Sequence, residues 1–114
     1  MRTIADLQKQ YRAFLAERGW EKFHSPKNLA AALSVEASEL LEVFMWLSES
    51  QAASLKPGRL QSAKDEMADV FLYLIRLADV LNVDLLEAAQ QKFQKVIEKY
   101  PVDKARELAK AIES

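Results

Sequence analysis

Apolar residues recur along this chain at spacings of three and four, the period of an α-helix with one buried face. Ile4, Leu7, Tyr11, Phe14 and Leu15 make the first run, and Thr3 with Asp6 resembles a capping box, so the pattern predicts a helix over 3–18 closed by Gly19. A short connection through Trp20, Phe23 and His24 leads to Ser25 and Pro26, suited to an N-cap and a first helical position. The helix they open carries Leu29, Leu33, Leu40, Val43, Phe44 and Leu47 and is expected to reach about Ser48. Ser50, Pro57 and Gly58 predict an irregular loop over 48–58. Met67, Val70, Leu74, Leu77, Ala78 and Leu81 mark a helix over 61–81, which Asn82 can close in the left-handed conformation. Asp84 can cap the next helix, built on Leu85, Leu86, Ala89, Phe93, Val96 and Ile97 and broken at Tyr100-Pro101. The segment 103–112 has Leu108 and Ile112 as its main apolar anchors and is either helical or frayed.

At 114 residues the chain is expected to be one domain with a single core. Half of it is hydrophobic and only two residues are glycine, which favours an all-α bundle of four to five helices over a turn-rich β protein. The apolar faces are wider than such helices can cover for one another, so a homo-oligomer, a dimer or a tetramer, is the expected outlet. A net charge of −1 removes any broad electrostatic case for nucleic-acid or membrane partners. Without cysteine there is no disulfide, no thiolate metal site and no cysteine nucleophile. Asp6, Lys9 and Arg12 interrupt the first segment, so it reads neither as a signal peptide nor as a membrane span, and a cytoplasmic protein is expected.

Two carboxylate pairs change this picture. Glu36-x-x-Glu39 and Glu66-x-x-Asp69 lie on separate apolar-rich helices, and residues three apart project to one side of a helix. At about 100° per residue, Glu36 falls within the apolar stripe, and Glu39 projects about 60° away beside Val43 and Trp46. Glu66 borders its own stripe, with Asp69 on the flank beside Tyr73. Either pair alone could be a solvated helix face. Both together, if the helices pack, would converge four carboxylates, more negative charge than a folded core keeps without a cation. Neither pair contains an imidazole, and the only histidine, His24, precedes its helix, so Mg²⁺ or Mn²⁺ suits the set better than iron or zinc. Hard cations on carboxylates leave coordination positions for water and phosphate oxygens, which points to phosphate-ester or phosphoanhydride chemistry. No serine or threonine has the histidine and acid needed to make it a covalent nucleophile.

The run Trp20-x-x-Phe23-His24-x-Pro26-x-Asn28-Leu29, then Glu36-Ala37-Ser38-Glu39-Leu40-Leu41-Glu42 with Trp46, then Glu66-Met67-Ala68-Asp69-Val70 with Tyr73, and finally Lys99-Tyr100-Pro101 resembles the all-α NTP pyrophosphatases. Within them it is most similar to the MazG-like and dCTP pyrophosphatase branch. The resemblance covers roughly 20–101 and keeps motif order, with 26 residues between Glu39 and Glu66. It implies Mg²⁺-dependent hydrolysis of a nucleoside triphosphate to monophosphate and pyrophosphate, with Glu36, Glu39, Glu66 and Asp69 as metal ligands and dCTP or a modified dCTP as substrate. Val35 stands where the common motif has a further acid, a departure the dCTP pyrophosphatase branch shares, and Val96 stands where asparagine is expected.

Several further residues gain candidate roles from the same resemblance. Glu42 matches a third acid on the first acidic helix, and either Glu39 or Glu42 is a candidate to position the attacking water. Lys92, Lys95 and Lys99 share a helical face ahead of Tyr100 and could neutralise a triphosphate, unless they are simply solvated. Trp20, Trp46 and Tyr73 could wall a nucleobase pocket, against the alternative of ordinary core packing. His24 and Asn28 are one helical turn apart and could read base or sugar edges. The rival readings are a non-catalytic helical oligomer whose acids hold a structural cation, and a broad house-cleaning hydrolase or one acting on dUTP.

Overall fold

The computed structural model describes residues 2–113, and among them all regular structure is helical. The first helix, α1 (Ile4–Arg18), starts where Thr3 Oγ1 accepts from the Asp6 N–H at 3.0 Å. It stops at Gly19, whose φ of 65° lets its N–H turn back to the Leu15 and Ala16 carbonyls. A single 3₁₀ turn (Glu21–Phe23) leads to Ser25, whose Oγ accepts from the Asn28 N–H and opens α2 (Pro26–Phe44).

Two boundaries differ from the sequence pattern. The second helix ends at Phe44, short of Ser48, because Ser48 begins the next helix: its Oγ accepts from Gln51 N while Gln51 Oε1 accepts from Ser48 N. That capping box opens the short α3 (Glu49–Ala53) inside the segment expected to be irregular. Helix α4 (Pro57–Val80) starts four residues before the expected Gln61. Pro57 and Gly58 look like loop formers, but proline at a first helical position loses no hydrogen bond and arrives with the right φ. Leu81 and Asn82 close α4, Asn82 in the left-handed region at φ 56°.

Contacts divide the chain into two compact units, one up to Asn82 and one from Val83 onward. In the first, Leu15, Leu29, Ala63, Ile75 and Ala78 form the buried core. Its axis is α2 packed along α4, and the two alanines leave room for neighbouring helices to approach. Helix α1 lies on α4, tied by Gln8 Nε2 donating to the Ile75 carbonyl at 2.9 Å and by an Arg12–Asp79 ion pair at 2.6 Å.

The second unit holds α5 (Leu85–Lys99) and α6 (Val102–Glu113). Asp84 Oδ1 caps α5 by accepting from the Glu87 N–H at 3.0 Å. The segment after Pro101 is helical rather than frayed, and both helices keep their larger apolar residues, Leu86, Phe93, Leu108 and Ile112 among them, exposed.

Candidate active site

The acids meet because α2 and α4 run antiparallel. Near the start of α4, the Arg59 guanidinium donates to the Val43 carbonyl at 2.8 Å. Near its other end, Arg76 Nε donates to His24 Nδ1 at 3.1 Å, just ahead of α2. These two ties set the register between them, which puts Glu66 against Glu36 and Glu39. One carboxylate oxygen from each of the three lies within 4.8 Å of the other two. Asp69, one turn further along α4, is not part of this triad, although its charge is felt by Glu36, Glu66 and Tyr11.

Such a cluster is costly as it stands. Glu36 Oε2 and Glu66 Oε2 are buried and have no hydrogen-bond partner. The Glu36 carboxyl is pushed up to about 7, first by burial, then by a hydrogen bond with Glu39 and the charges of Glu39, Asp69 and Glu66. Burial also raises Glu66, reinforced by the charge of Glu39, a hydrogen bond with it, and the charges of Asp69 and Asp65. Two orphaned buried oxygens in an all-oxygen donor set are what a hard divalent cation would satisfy, so the residues present fit one.

Beside the triad lies an open cavity of about 550 Å³. Glu39, Glu42 and Glu66 line it together with Lys56, Arg59 and Ser62. The triad therefore opens onto a space that also presents two cations.

At the other end of the hairpin the surroundings turn aromatic. The Tyr11 ring meets His24 edge-on with centroids 6.2 Å apart. Its phenol is held above its ordinary value by burial first and then by Tyr73 and Asp69, while Arg76 pulls the other way. His24 is lowered, by burial first and then by the Arg76 guanidinium, in keeping with an unprotonated Nδ1 that accepts from Arg76. Arg76 and Arg12 both reach Asp79, completing the network around this end.

The other residues singled out in the sequence are dispersed. Trp20 packs edge-on against Phe14 with centroids 5.7 Å apart. Trp46 is 86% exposed in the turn after α2, at the Arg59 end, whereas Tyr73 is half-buried about 20 Å along α4 from Arg59. Within one subunit the three aromatics do not form one wall. The Asn28 side chain is used locally, donating Nδ2 to the Phe23 carbonyl at 3.1 Å. Lys92, Lys95, Lys99 and Tyr100 belong to the second unit and are exposed, with the Lys99 ammonium 5.5 Å from the Tyr100 ring centroid. Glu42 is exposed at the cavity. Lys56, Arg59, Ser62 and Arg76 were given no role by the sequence pattern, and Tyr11 only a place in the apolar run of α1. The signal for Arg59, Ser62 and Arg76 was a seven-residue recurrence of polar groups within α4, and Lys56, just ahead of that helix, had none.

Residues 31–113 match the MazG-like family. The chain is 37% identical over 106 residues to dCTP pyrophosphatase 1 of Rattus norvegicus, covering 91% of this chain and 62% of that protein. It is 36% identical over 106 residues to dCTP pyrophosphatase 1 of Homo sapiens, with the same coverage of 91% and 62%. The chain thus spans under two thirds of the length of these relatives. Among solved structures, a pyrophosphatase from Archaeoglobus fulgidus DSM 4304 superposes with a TM-score of 0.80 at 40% identity, over 85% of this chain and 91% of that one.

Proposed function

This chain belongs to the MazG-like family, and from that premise we propose that it is a Mg²⁺-dependent nucleoside triphosphate pyrophosphohydrolase. Its substrate is dCTP or a modified dCTP, and its role is house-cleaning of the nucleotide pool in the cytoplasm. The observation that carries this reading is the Glu36, Glu39 and Glu66 triad with two buried, unpartnered oxygens. Nothing in a purely structural acidic cluster calls for two of its members, Glu39 and Glu66, to line a cavity large enough for a phosphate chain.

Glu36, Glu39 and Glu66, with Asp69 one turn away, would hold the cation. When bound, Mg²⁺ supplies the positive charge that draws electron density from the phosphoryl oxygens. By holding that charge at the triad, the chain's own carboxylates would set where a reacting phosphate can sit. Glu42, outside the triad and facing the cavity, orients a water and takes its proton as the water oxygen bonds to the α-phosphorus. The bond from that phosphorus to the bridging oxygen breaks, its electron pair leaves with pyrophosphate, and the monophosphate remains. The aromatic and polar groups around Tyr73, Tyr11 and His24 receive the nucleoside.

Self-association belongs to the same proposal. Met45, Met67 and Phe71 are 47%, 50% and 40% exposed, and Met67 and Phe71 stand one turn apart on α4. Apolar side chains placed like this on a short hairpin find partners in a second copy, as a dimer or tetramer.

The test is a screen of canonical and modified nucleoside triphosphates with Mg²⁺, scored separately for pyrophosphate, orthophosphate, mono- and diphosphate. Pyrophosphate with a deoxycytidine monophosphate is expected. Orthophosphate with a diphosphate as primary products would overturn the proposed site of attack.

A further inference from the structure

Helix α4 carries a polar stripe along the side that meets α2. Arg59, Glu66 and Tyr73 are seven residues apart, two turns each, so each lies within about 20° of the next and all three within about 40° in projection. Ser62, Asp69 and Arg76 follow each of them by three residues and share that side. The structure confirms the facing independently at three levels, through Arg59 on the Val43 carbonyl, Glu66 in the acidic triad and Arg76 on His24. Read along the helix, the order is cation, acids, aromatic, with about 10 Å between successive groups.

The cation end is built on one cavity. Lys56, Arg59 and Ser62 line the same space of about 550 Å³ as Glu39, Glu42 and Glu66. Arg59 spends one guanidinium nitrogen on the Val43 carbonyl, and that tether holds the group in place while its charge has no ion pair among the described residues. Lys56 likewise has no ion pair among the described residues, although three glutamates line its cavity. Lys56 itself is the N-cap of α4 and supplies no side-chain hydrogen bond, and a Cβ built on Gly58 would meet nothing within 4 Å. The Lys56 and Arg59 side of the cavity is therefore open and positively charged, directly beside a metal-competent acidic triad.

We propose that Lys56 and Arg59, with Ser62, form the subsite for the two distal phosphates of the substrate and so for the departing pyrophosphate. This rests on the pyrophosphohydrolase reading and adds to it a direction and two binding residues. A nucleoside triphosphate has the same order of chemistry as the stripe: a polyanionic end, a reacting phosphate that needs a cation, and an aromatic base. The acids would repel a phosphate chain entered from either side. Of the stripe's two ends, the Arg59 end offers cations with no ion pair among the described residues, whereas Arg76 at the other is paired with Asp79. As the bond to the α-phosphorus breaks, the negative charge that gathers on the bridging oxygen passes to the pyrophosphate these two side chains hold.

Calorimetric titration of inorganic pyrophosphate into the full chain in Mg²⁺ buffer tests the assignment without any turnover. Lys56→Ala and Arg59→Gln are the variants, the glutamine keeping an N–H for the Val43 carbonyl, with thermal melts to confirm folding. Each is expected to weaken pyrophosphate binding about tenfold or more, the loss of a charge-assisted contact, while leaving the affinity for deoxycytidine monophosphate unchanged. Raising salt should weaken pyrophosphate binding less in the variants than in the parent. Unchanged pyrophosphate affinity in both variants, or equal loss for the monophosphate, would overturn the subsite while leaving dCTP hydrolysis standing. A parent chain that binds no pyrophosphate overturns it as well. Selective loss of pyrophosphate in a chain that hydrolyses no nucleotide would support the subsite and refute the activity instead.

Discussion

Binding of Mg²⁺ to this protein should release protons, and the number follows from the acidic triad. Glu36 has a pKa of about 7 against an ordinary 4.5 because burial and three neighbouring acids penalise its charge. A cation requires the carboxylate, so the proton must leave first. From Glu36 alone roughly half a proton per site is released at pH 7 and about nine-tenths at pH 6, with almost none at pH 8. The apparent affinity for Mg²⁺ should then be flat above pH 8 and fall by up to about tenfold per pH unit below 7. Glu66 is also raised, so the fall steepens at lower pH, and the triad titrates as a group. Titrating MgCl₂ into the chain in buffers of different ionisation enthalpy reads the proton count directly, and Glu36→Gln should reduce it.

The same shift has a sign for folding. Since the Glu36 pKa is higher in the folded chain, its contribution to stability is fully present below about 4.5 and is lost as pH rises through about 7. The metal-free chain is therefore strained at this site at neutral pH. Mg²⁺ should raise the melting temperature more at pH 8 than at pH 6. A binding heat independent of buffer at pH 6, together with one affinity across pH 6 to 8, would refute the reasoning.

Glu39→Gln and Asp69→Asn should each lower kcat by at least about a hundredfold in Mg²⁺ while keeping native helicity by circular dichroism, because removing charge from a crowded acidic site relieves repulsion. The lowered pKa of His24 acts on stability in the opposite sense to Glu36: the unfolded chain takes up the proton more readily, so stability is complete above about 6.5 and falls below it. Thermal melts of the parent and of His24→Gln from pH 5 to 7.5 should therefore differ in slope, the parent losing more on acidification. If Met45, Met67 and Phe71 are covered by a second copy, light scattering and specific activity should fall together on dilution, and a fully active, well-folded monomer would refute that.

Much of the fold was legible because caps and periodicity agree. Thr3, Ser25 and Asp84 each cap where the pattern put them, and Gly19 and Asn82 close their helices in left-handed conformations. The misplaced boundaries share a cause: Ser48 and Pro57 have two meanings, ending one element or starting another, and only the partner decides. Gln51 completes the capping box that makes Ser48 a beginning. Of the site, the placing of each acidic pair on one side of its helix was readable from spacing, and of the four acids expected to converge Glu36, Glu39 and Glu66 come together. Which ends of the two helices meet was not, since register depends on ties such as Arg59 to Val43 and Arg76 to His24 that link residues far apart in sequence. That is why Trp46 and Tyr73, both near acids in the sequence, fall at opposite ends of the hairpin.

The polar stripe of α4 also explains why this unit has so small a core. A helix of 24 residues packed along its neighbour would ordinarily bury leucine or isoleucine at seven-residue spacing, yet here those places hold Arg59, Glu66 and Tyr73. Only Ala63, Ile75 and Ala78 of α4 are fully buried, beside or beyond the acids rather than among them. Burying a carboxylate where an aliphatic side chain would fit costs stability twice, once in lost apolar burial and once in desolvated charge. Substituting Glu66 with leucine should therefore raise the melting temperature of the metal-free chain while abolishing its response to Mg²⁺, the trade expected when a site is written into the packing face itself.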